Sequence, residues 1–178
     1  GRTLTRKHVR VLAHSARHML AAVRAPGMCV DLLVAHAPHS RADPDVCDRW
    51  WSAIEHDVST RPSPAPLVCM LDANATVGSR LSKHVGPIGA EDENATGTRF
   101  HKFLEITDQA AVATFTEPAS GLHGTWSPPG ACAQDSRHRI DYITVPTELL
   151  RSVGNQGVDP QVDLSLRADD HYVVTADI

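Results

Sequence analysis

Residues 67–74, LVCMLDAN, are the stretch that most constrains the fold. The apolar run from Leu67 to Leu71 is typical of a strand that is buried on both faces of a sheet. The run ends in Asp72 and Asn74, and strand side chains two residues apart project to the same side. Such a pair can orient a water molecule and hydrogen-bond to a phosphoryl oxygen. A strand-to-turn cap would use the same residue types, so this reading also stays open.

Three further polar motifs follow or interrupt apolar runs. They are HAPH at 36–39, RIDYI at 139–143 and DDHY at 169–172. Asp141 interrupts an apolar run, and a buried carboxylate needs a partner, for which we predict His171. Tyr142 faces the other way along the strand and is predicted to lie in the core. We expect six side chains to converge at one end of a sheet: His36, Asp72, Asn74, Asp141, Asp170 and His171.

The order and character of these motifs resemble the endonuclease/exonuclease/phosphatase superfamily, which has the DNase I-like fold. The resemblance runs from about Val30 to the C-terminus. It implies an α/β fold, a layered β-sandwich with flanking helices. Residues 1–178 would form a single domain, the C-terminal two-thirds of that fold, incomplete at its N-terminus. Two departures stand out: Leu71 and Ala73 replace the Gly and Phe of the family's Gly-Asp-Phe-Asn, and Asp169 replaces the Ser of its Ser-Asp-His.

The resemblance also implies roles for the side chains. His36 would protonate the leaving oxygen, for which imidazole is suited near neutral pH. Asp72 would position the attacking water, and His171 would contact the scissile phosphate. The catalytic residues expected are thus His36, Asp72, Asn74, Asp141 and His171. Asp170, Asp72 and Asn74 are expected to bind the metal ion, Mg²⁺ or Mn²⁺.

Three further residues are candidates for substrate contacts by the same resemblance. Trp126 lies where family members place an aromatic residue near the pocket floor or the substrate, although core packing is the favoured role. Asn94 belongs to a loop whose counterparts approach the substrate. Arg99 follows this loop and is a candidate phosphate contact.

The motif context is most similar to endonuclease domains of non-LTR retroelements. This implies a divalent-metal-dependent endonuclease that cleaves nucleic-acid phosphodiester bonds by in-line water attack, with DNA favoured over RNA. The net charge of −4 argues against broad, charge-driven binding of nucleic acid. Two alternatives stay open: an inactive, truncated remnant that acts as a binding module, and a phosphatase that acts on a small phosphoester.

The family's principal metal ligands include a Glu and an Asn on strands that precede every motif matched in this sequence. None of the chain's Glu residues ends a strand before His36. We therefore expect residues 1–178 to bind Mg²⁺ weakly and to hydrolyse a phosphodiester slowly, if at all. A shortened sheet would also expose strand edges and apolar surface, so we expect self-association through the sheet edges.

Composition restricts the remaining possibilities. The four cysteines are widely spaced, which excludes common zinc-site spacings and favours a reducing compartment. The basic N-terminus is not followed by an uninterrupted apolar stretch, so the sequence shows no signal peptide, and no segment has the length of a membrane span. We expect an intracellular protein of the nucleus or cytoplasm with no membrane partner.

The apolar periodicity predicts the elements between these motifs. A Pro-Gly turn joins the runs 19–23 and 28–35 into a hairpin, although a helix over 16–24 is an open alternative. Asp43 and Pro44 begin a helix that runs to about Val58, with Trp50 and Ile54 on its apolar face. A long loop over 75–98 precedes a short helix over 98–106. Further strands are predicted at 110–115, 125–127, 140–145 and 173–178.

Overall fold

The computed structural model describes residues 4–62, 64–118, 120–128, 137–159 and 171–178. Its strands are β1 (Val9–His14), β2 (His18–Ala25), β3 (Met28–His36), β4 (Leu67–Asp72), β5 (Gln109–Ala111), β6 (Asp141–Pro146), β7 (Gln156–Asp159) and β8 (Val173–Ala176). Its α-helices are α1 (Pro44–Ser59) and α2 (Ala95–Thr107). Six strands form one sheet in the order β1-β2-β3-β4-β6-β5, in which only β3 and β4 are parallel neighbours. β7 and β8 form a separate two-stranded sheet.

The hairpin formed by β2 and β3 confirms the prediction from the Pro-Gly turn. The two strands pair along their whole length, from His18 opposite Ala35 to Ala25 opposite Met28. Gly27 takes a φ of 79°, which favours glycine in this turn. The alternative helix over 16–24 is wrong, because these residues pair with neighbouring strands on both sides.

Helix α1 begins where the sequence predicts. The Asp43 carboxylate accepts a hydrogen bond from the Asp45 N–H at 2.8 Å, and Pro44 occupies the first turn. The buried face is Cys47, Trp51, Ile54 and Val58. Trp51 therefore takes the core position that we predicted for Trp50, because the face advances by three or four residues at each step rather than by four throughout.

Helix α2 begins three residues earlier than predicted. The Asn94 side chain caps it by accepting a hydrogen bond from the Gly97 N–H at 2.6 Å. Phe100, Phe103 and Leu104 are fully buried, as the sequence predicts. The helix ends at Thr107, and its C-cap residue, Asp108, adopts a left-handed conformation.

The two helices cover one face of the six-stranded sheet. Their buried side chains, with Trp51 and Phe100 among them, form one core with residues of β2, β3, β4 and β6, such as Leu33 and Cys69. Burial of this apolar surface supplies the main driving force for folding. It also fixes the strand ends, which carry the polar motifs.

The opposite face of the sheet is only partly covered. Val68, Val112 and Val145 form a small buried cluster there. Met19, Val34 and Met70 are neighbours in the register of β2, β3 and β4, and their exposed fractions are 43%, 44% and 37%. We call these three residues the exposed row. Strand β4 is therefore buried on both faces at Val68 but not at Met70, so the prediction from its continuous apolar run holds only for part of the strand.

The remaining predicted strands are shorter than expected or pair elsewhere. The run 110–115 forms β5 and then a 3-10 turn at Val112–Thr114. The final run, 173–178, forms β8, which pairs with β7 rather than with the six-stranded sheet. The segment 125–127 makes only isolated bridges, through Trp126. Within the described ranges, no helix is long and apolar enough to cross a membrane.

Candidate active site

The polar motifs meet at one end of the six-stranded sheet. His36 ends β3 and lies beside Asp72, which ends the parallel strand β4, while Asp141 begins β6 and lies opposite Asp72. The His36 Nε2 atom is 3.4 Å from the Asp72 Oδ2 atom, and the His36 side chain is 60% exposed. The sheet register therefore sets the three side chains in a row across three strands.

His171 contacts Asp141, the last of these three residues. Its Nδ1 atom lies 3.0 Å from the Asp141 Oδ2 atom, which is the hydrogen bond that the sequence predicts. An ionised carboxylate can only accept, so Nδ1 carries the proton in this pair. The imidazole is thereby held in one orientation.

Asp72, Asp141 and His171 form a compact group of potential metal ligands. One atom from each lies within 4.8 Å of the others. Burial of the carboxyl group and, next, repulsion from Asp141 raise the pKa of Asp72, whereas the Asn74 N–H, His36 and His171 oppose the increase. A positive ion or a proton near this pair of carboxylates would relieve their repulsion.

Asn74 serves both the backbone turn and the site. Its φ is 47°, a left-handed value that Asn tolerates better than most residues. Its backbone N–H donates to the Asp72 Oδ1 atom at 3.0 Å, and its side-chain N–H donates to the Ala37 carbonyl at 3.0 Å. The strand-to-turn cap and the placement of polar groups at the site are thus two properties of one structure.

The residues beside Asp141 hold the surrounding loops. The Tyr142 hydroxyl contacts the carbonyl oxygens of Ala75 at 2.9 Å and Arg139 at 2.7 Å, and its ring is buried, as predicted. The buried Arg139 guanidinium donates to the Ala113 carbonyl at 2.7 Å. The motif therefore combines one residue of the site with structural neighbours that fix it.

A cleft of about 930 Å³ begins at Asn74. Its lining includes Asn74, Asn94 and Trp126 among the residues predicted from the sequence. Trp126 is half-buried, and its ring lies 6.2 Å from that of His138, at an angle of 29° between the ring planes. The cleft is large enough for a ligand of several ring systems.

The structure does not bring Arg99 to this cleft. Its Nε atom donates to the Asp48 carboxylate at 2.6 Å, which joins α2 to α1. The pKa of Arg99 is raised chiefly by this hydrogen bond. Asn94 reaches the cleft lining while its side chain caps α2. Asp169 and Asp170 lie outside the described residues, so the predicted metal-binding role of Asp170 stays a prediction.

The cleft residues that the sequence reasoning missed include Arg41, Glu91 and His138. The His138 Nδ1 atom is 2.6 Å from the Glu91 Oε2 atom, and the Arg139 N–H donates to the Glu91 Oε1 atom at 2.7 Å. Neither Arg41 nor Glu91 ends an apolar run, and His138 merely precedes the RIDY motif. Only their position relative to the fold reveals them.

No protein-family model matches this sequence, and no curated protein matches it significantly. Solved structures do match. A 3′-5′ exonuclease, NExo, from Neisseria meningitidis has a TM-score of 0.65 and 20% identity, over 90% of this chain and 64% of that chain. An AP endonuclease from Archaeoglobus fulgidus has a TM-score of 0.65 and 16% identity, with the same two coverages. The endonuclease domain of TRAS1, a telomere-specific non-LTR retrotransposon, has a TM-score of 0.62 and 13% identity, over 96% of this chain and 67% of that domain.

These structures share the DNase I-like fold, and so does this chain. The α/β fold class and the DNase I-like fold that the polar motifs implied are thereby confirmed. The chain spans 64% of the length of the exonuclease and of the AP endonuclease.

Proposed function

We propose that this chain is a divalent-metal-dependent phosphodiesterase that cleaves nucleic-acid strands, with DNA favoured over RNA. The observation that carries the proposal is the convergence of Asp72, Asp141 and His171 within 4.8 Å, next to a cleft of about 930 Å³. Carboxylates, imidazole and amide groups at such a position suit phosphoryl transfer to water. Nucleases with the same fold support the same class of reaction.

The donor set fits a divalent metal ion of the Mg²⁺ or Mn²⁺ type. Asp72 and Asp141 supply carboxylate oxygens, His171 supplies an imidazole, and Asn74 adds an amide at the same strand end. Oxygen ligands suit both ions, and an imidazole among them is better tolerated by Mn²⁺. When bound at this strand end by Asp72 and Asn74, with Asp170 as the further ligand predicted from the sequence and with Asp141 and His171 beside it, the ion would supply positive charge that polarises the phosphate.

Three side chains carry out the proton transfers and the contact to the phosphate. Asp72, with its raised pKa, takes a proton from water, and the water oxygen forms the new bond to phosphorus. His171, oriented by Asp141, donates a hydrogen bond to the phosphate. The bond from phosphorus to the leaving oxygen breaks, and His36 delivers a proton to that oxygen. The exposed position of His36 allows it to recover a proton from solvent.

A phosphatase that acts on a terminal phosphate is the second candidate. One solved structure that matches this chain, with a TM-score of 0.66 and 18% identity, is described as a 3′ phosphatase from Neisseria bound to a product DNA hairpin. The same groups could transfer a monoester phosphate to water, because the attack on phosphorus is the same.

The test is hydrolysis by residues 1–178, followed with Mn²⁺ or Mg²⁺ and with excess protein. A DNA hairpin with an internal phosphodiester and one with a 3′-terminal phosphate would be compared. We expect slow, metal-dependent cleavage of the internal bond that is lost in Asp72→Ala. Release of inorganic phosphate alone would favour the phosphatase. Hydrolysis that survives in Asp72→Ala would overturn the assignment of the site.

Self-association is a separate proposal about partners. Strand β1 forms one edge of the six-stranded sheet, and the exposed row crosses the next three strands, β2, β3 and β4. Unpaired strand edges and apolar patches favour association. Sedimentation velocity over a range of concentrations tests this, and a Val34→Lys variant should stay monomeric where the wild type associates.

A further inference from the structure

The cleft contains a second carboxylate–imidazole pair, Glu91 with His138. The Glu91 Oε2 atom accepts from the His138 Nδ1 atom at 2.6 Å, and its Oε1 atom accepts the Arg139 N–H at 2.7 Å. The Glu91 backbone is held as well, because its N–H donates to the Val77 carbonyl at 3.1 Å. Both carboxylate oxygens are thus engaged, and the imidazole has a fixed orientation.

Trp126 connects this pair to the candidate active site. It forms one antiparallel bridge with His138 and another with His171. Residues directly opposite one another in antiparallel strands project to the same face. The three side chains therefore form a row, and neighbouring strands about 4.8 Å apart separate the two histidines by roughly 10 Å at the backbone.

Two groups that can donate hydrogen bonds, the Arg41 guanidinium and the His138 imidazole, belong to residues that line the same cleft. Within the described residues, the His138 Nε2 atom and the Arg41 guanidinium have no hydrogen-bond or ion-pair partner, and both residues line the cleft. The Arg41 backbone N–H donates to the His39 Nδ1 atom at 3.1 Å, which leaves the Arg41 side chain out of that contact. A guanidinium and an imidazole N–H are common phosphate-binding groups.

We propose that Arg41 and His138 form a second phosphate subsite, with Glu91 as the residue that positions the imidazole. The inference rests on the proposed function, because the first phosphate is the one at Asp72, Asp141 and His171. It specifies the substrate as a polynucleotide strand with several consecutive phosphates, rather than a single small phosphoester. The axial rise of about 3.4 Å per nucleotide is a lower bound on the distance between successive phosphates, so roughly 10 Å spans fewer than about three nucleotides.

Carboxylates near the subsite affect its affinity for a phosphate. Both carboxylate oxygens of Glu91 are engaged in hydrogen bonds, one with the His138 Nδ1 atom and one with the Arg139 N–H. Asp92 is exposed and also lines the cleft, where its charge would repel a phosphate. Removing that charge should therefore strengthen binding, which gives the proposal a variant that acts in the opposite direction.

The first experiment measures binding without catalysis. A fluorescent single-stranded deoxyoligonucleotide is titrated with the full chain in EDTA at several salt concentrations. We expect Arg41→Ala and His138→Ala each to weaken binding by about 10-fold at low salt. Arg41→Ala should also reduce the slope of log K against log salt by about 0.7, the value for one lost cationic contact to a phosphate of a single strand. Asp92→Asn should bind more tightly than the wild type.

Arg49→Ala is the matched control. Arg49 is an exposed arginine of α1 that does not line the cleft, so its loss changes the net charge equally. Glu91→Gln tests positioning, because the amide keeps an acceptor for the Arg139 N–H while the carboxylate that holds His138 is lost. We expect it to weaken binding in the wild-type background and to have little effect in His138→Ala.

A second measurement separates this proposal from the proposed function. Arg41→Ala and His138→Ala should raise KM for an oligonucleotide by a much larger factor than KM for a small phosphodiester that has one phosphate. If no phosphoester is hydrolysed but the binding pattern holds, only the proposed reaction fails. Absence of oligonucleotide binding by the wild type would overturn the subsite, as would equal losses in Arg41→Ala and Arg49→Ala.

Discussion

Two carboxylate–imidazole pairs lie on either side of Trp126, and in both pairs the carboxylate contacts the Nδ1 atom of the imidazole. Asp141 holds the Nδ1 atom of His171 at 3.0 Å, and Glu91 holds the Nδ1 atom of His138 at 2.6 Å. The exposed fractions of the two imidazole side chains are 34% and 47%. Judged alone, either pair could serve a catalytic site.

Their neighbours make the difference. Asp141 faces Asp72 across β4 and β6, so the first pair lies beside a second carboxylate whose pKa is raised. Glu91 instead accepts a backbone N–H, and its pair has Arg41 on the same cleft. The first environment suits a metal ion and proton transfer, and the second suits an anion. The comparison teaches that a pair of residues acquires its chemistry from the charges around it.

The largest expected effect is the loss of kcat when the imidazole of the first pair is removed. His171→Ala should lower kcat on a small phosphodiester by about 10³-fold, because a contact to the reacting phosphate is lost. His138→Ala should leave that kcat within about twofold, since its subsite lies about 10 Å away. Steady-state or single-turnover rates of both variants check this. Similar losses in the two variants would show that the pairs are not distinct.

The next effect concerns the carboxylates that orient the imidazoles. Asp141→Asn should lower kcat by about 10–100-fold, the usual cost of removing a group that orients a catalytic histidine. Glu91→Gln should leave kcat unchanged and raise KM for an oligonucleotide. Kinetics on both substrate types distinguish the outcomes. A fall in kcat for Glu91→Gln on the small substrate would contradict the comparison.

A smaller effect is expected on stability. Replacing Asp72 should stabilise the folded chain, although it should lower the activity. Burial and Asp141 raise the pKa of Asp72 above 3.8, so its ionisation costs more in the folded chain than in the unfolded one. Stability is then lost as pH rises from the ordinary carboxyl range through the raised pKa. Asp72→Asn removes this cost and should raise Tm at neutral pH by roughly 2–4 °C, the shift that about 1 kcal/mol gives at this length.

Thermal unfolding at several pH values checks that prediction. The difference in Tm between Asp72→Asn and the wild type should disappear in acid, where Asp72 is protonated in both states. Asp48→Asn is the control, because its hydrogen bond with Arg99 lowers the pKa of Asp48. That variant should not raise Tm. An equal gain in both variants would mean that the loss of any carboxylate stabilises the chain.

The smallest effect should follow from Arg99→Ala. Its partner Asp48 is exposed, and solvent screens ion pairs of this kind so that they contribute little to stability. Oligonucleotide affinity should change no more than in Arg49→Ala, since the Arg99 guanidinium is directed to α1. Titration of both variants beside Arg41→Ala checks this. A loss for Arg99→Ala as large as that for Arg41→Ala would restore the phosphate contact predicted from the sequence.

The sequence predicts the elements that depend on local pattern. The Pro-Gly turn, the Asp43 cap and the runs around Asp72 and Asp141 each have a local physical cause, and the strands and α1 lie where these signals place them. Because polar groups at strand ends meet at a sheet edge, the contacts among His36, Asp72, Asp141 and His171 could also be anticipated.

The missed features depend on contacts distant in sequence. Glu91 reaches His138 from a loop 47 residues earlier, and no periodicity marks either residue. Met70 is exposed because the sheet face opposite the two helices is only partly covered. The apolar run of β4 contains no signal for that partial cover. The choice between Trp50 and Trp51 depended on where the helix face lies relative to α2.

The sheet face opposite the two helices carries methionine side chains that can be oxidised. The chain's three methionines, Met19, Met28 and Met70, lie on β2, β3 and β4, and all three are exposed, by 43%, 51% and 37%. Two of them flank Val34 in the exposed row. Oxidation of a methionine to its sulfoxide replaces an apolar side chain with a polar one. Peroxide should therefore modify this face before it reaches the buried core, and a chain that associates through the face would dissociate under oxidising conditions.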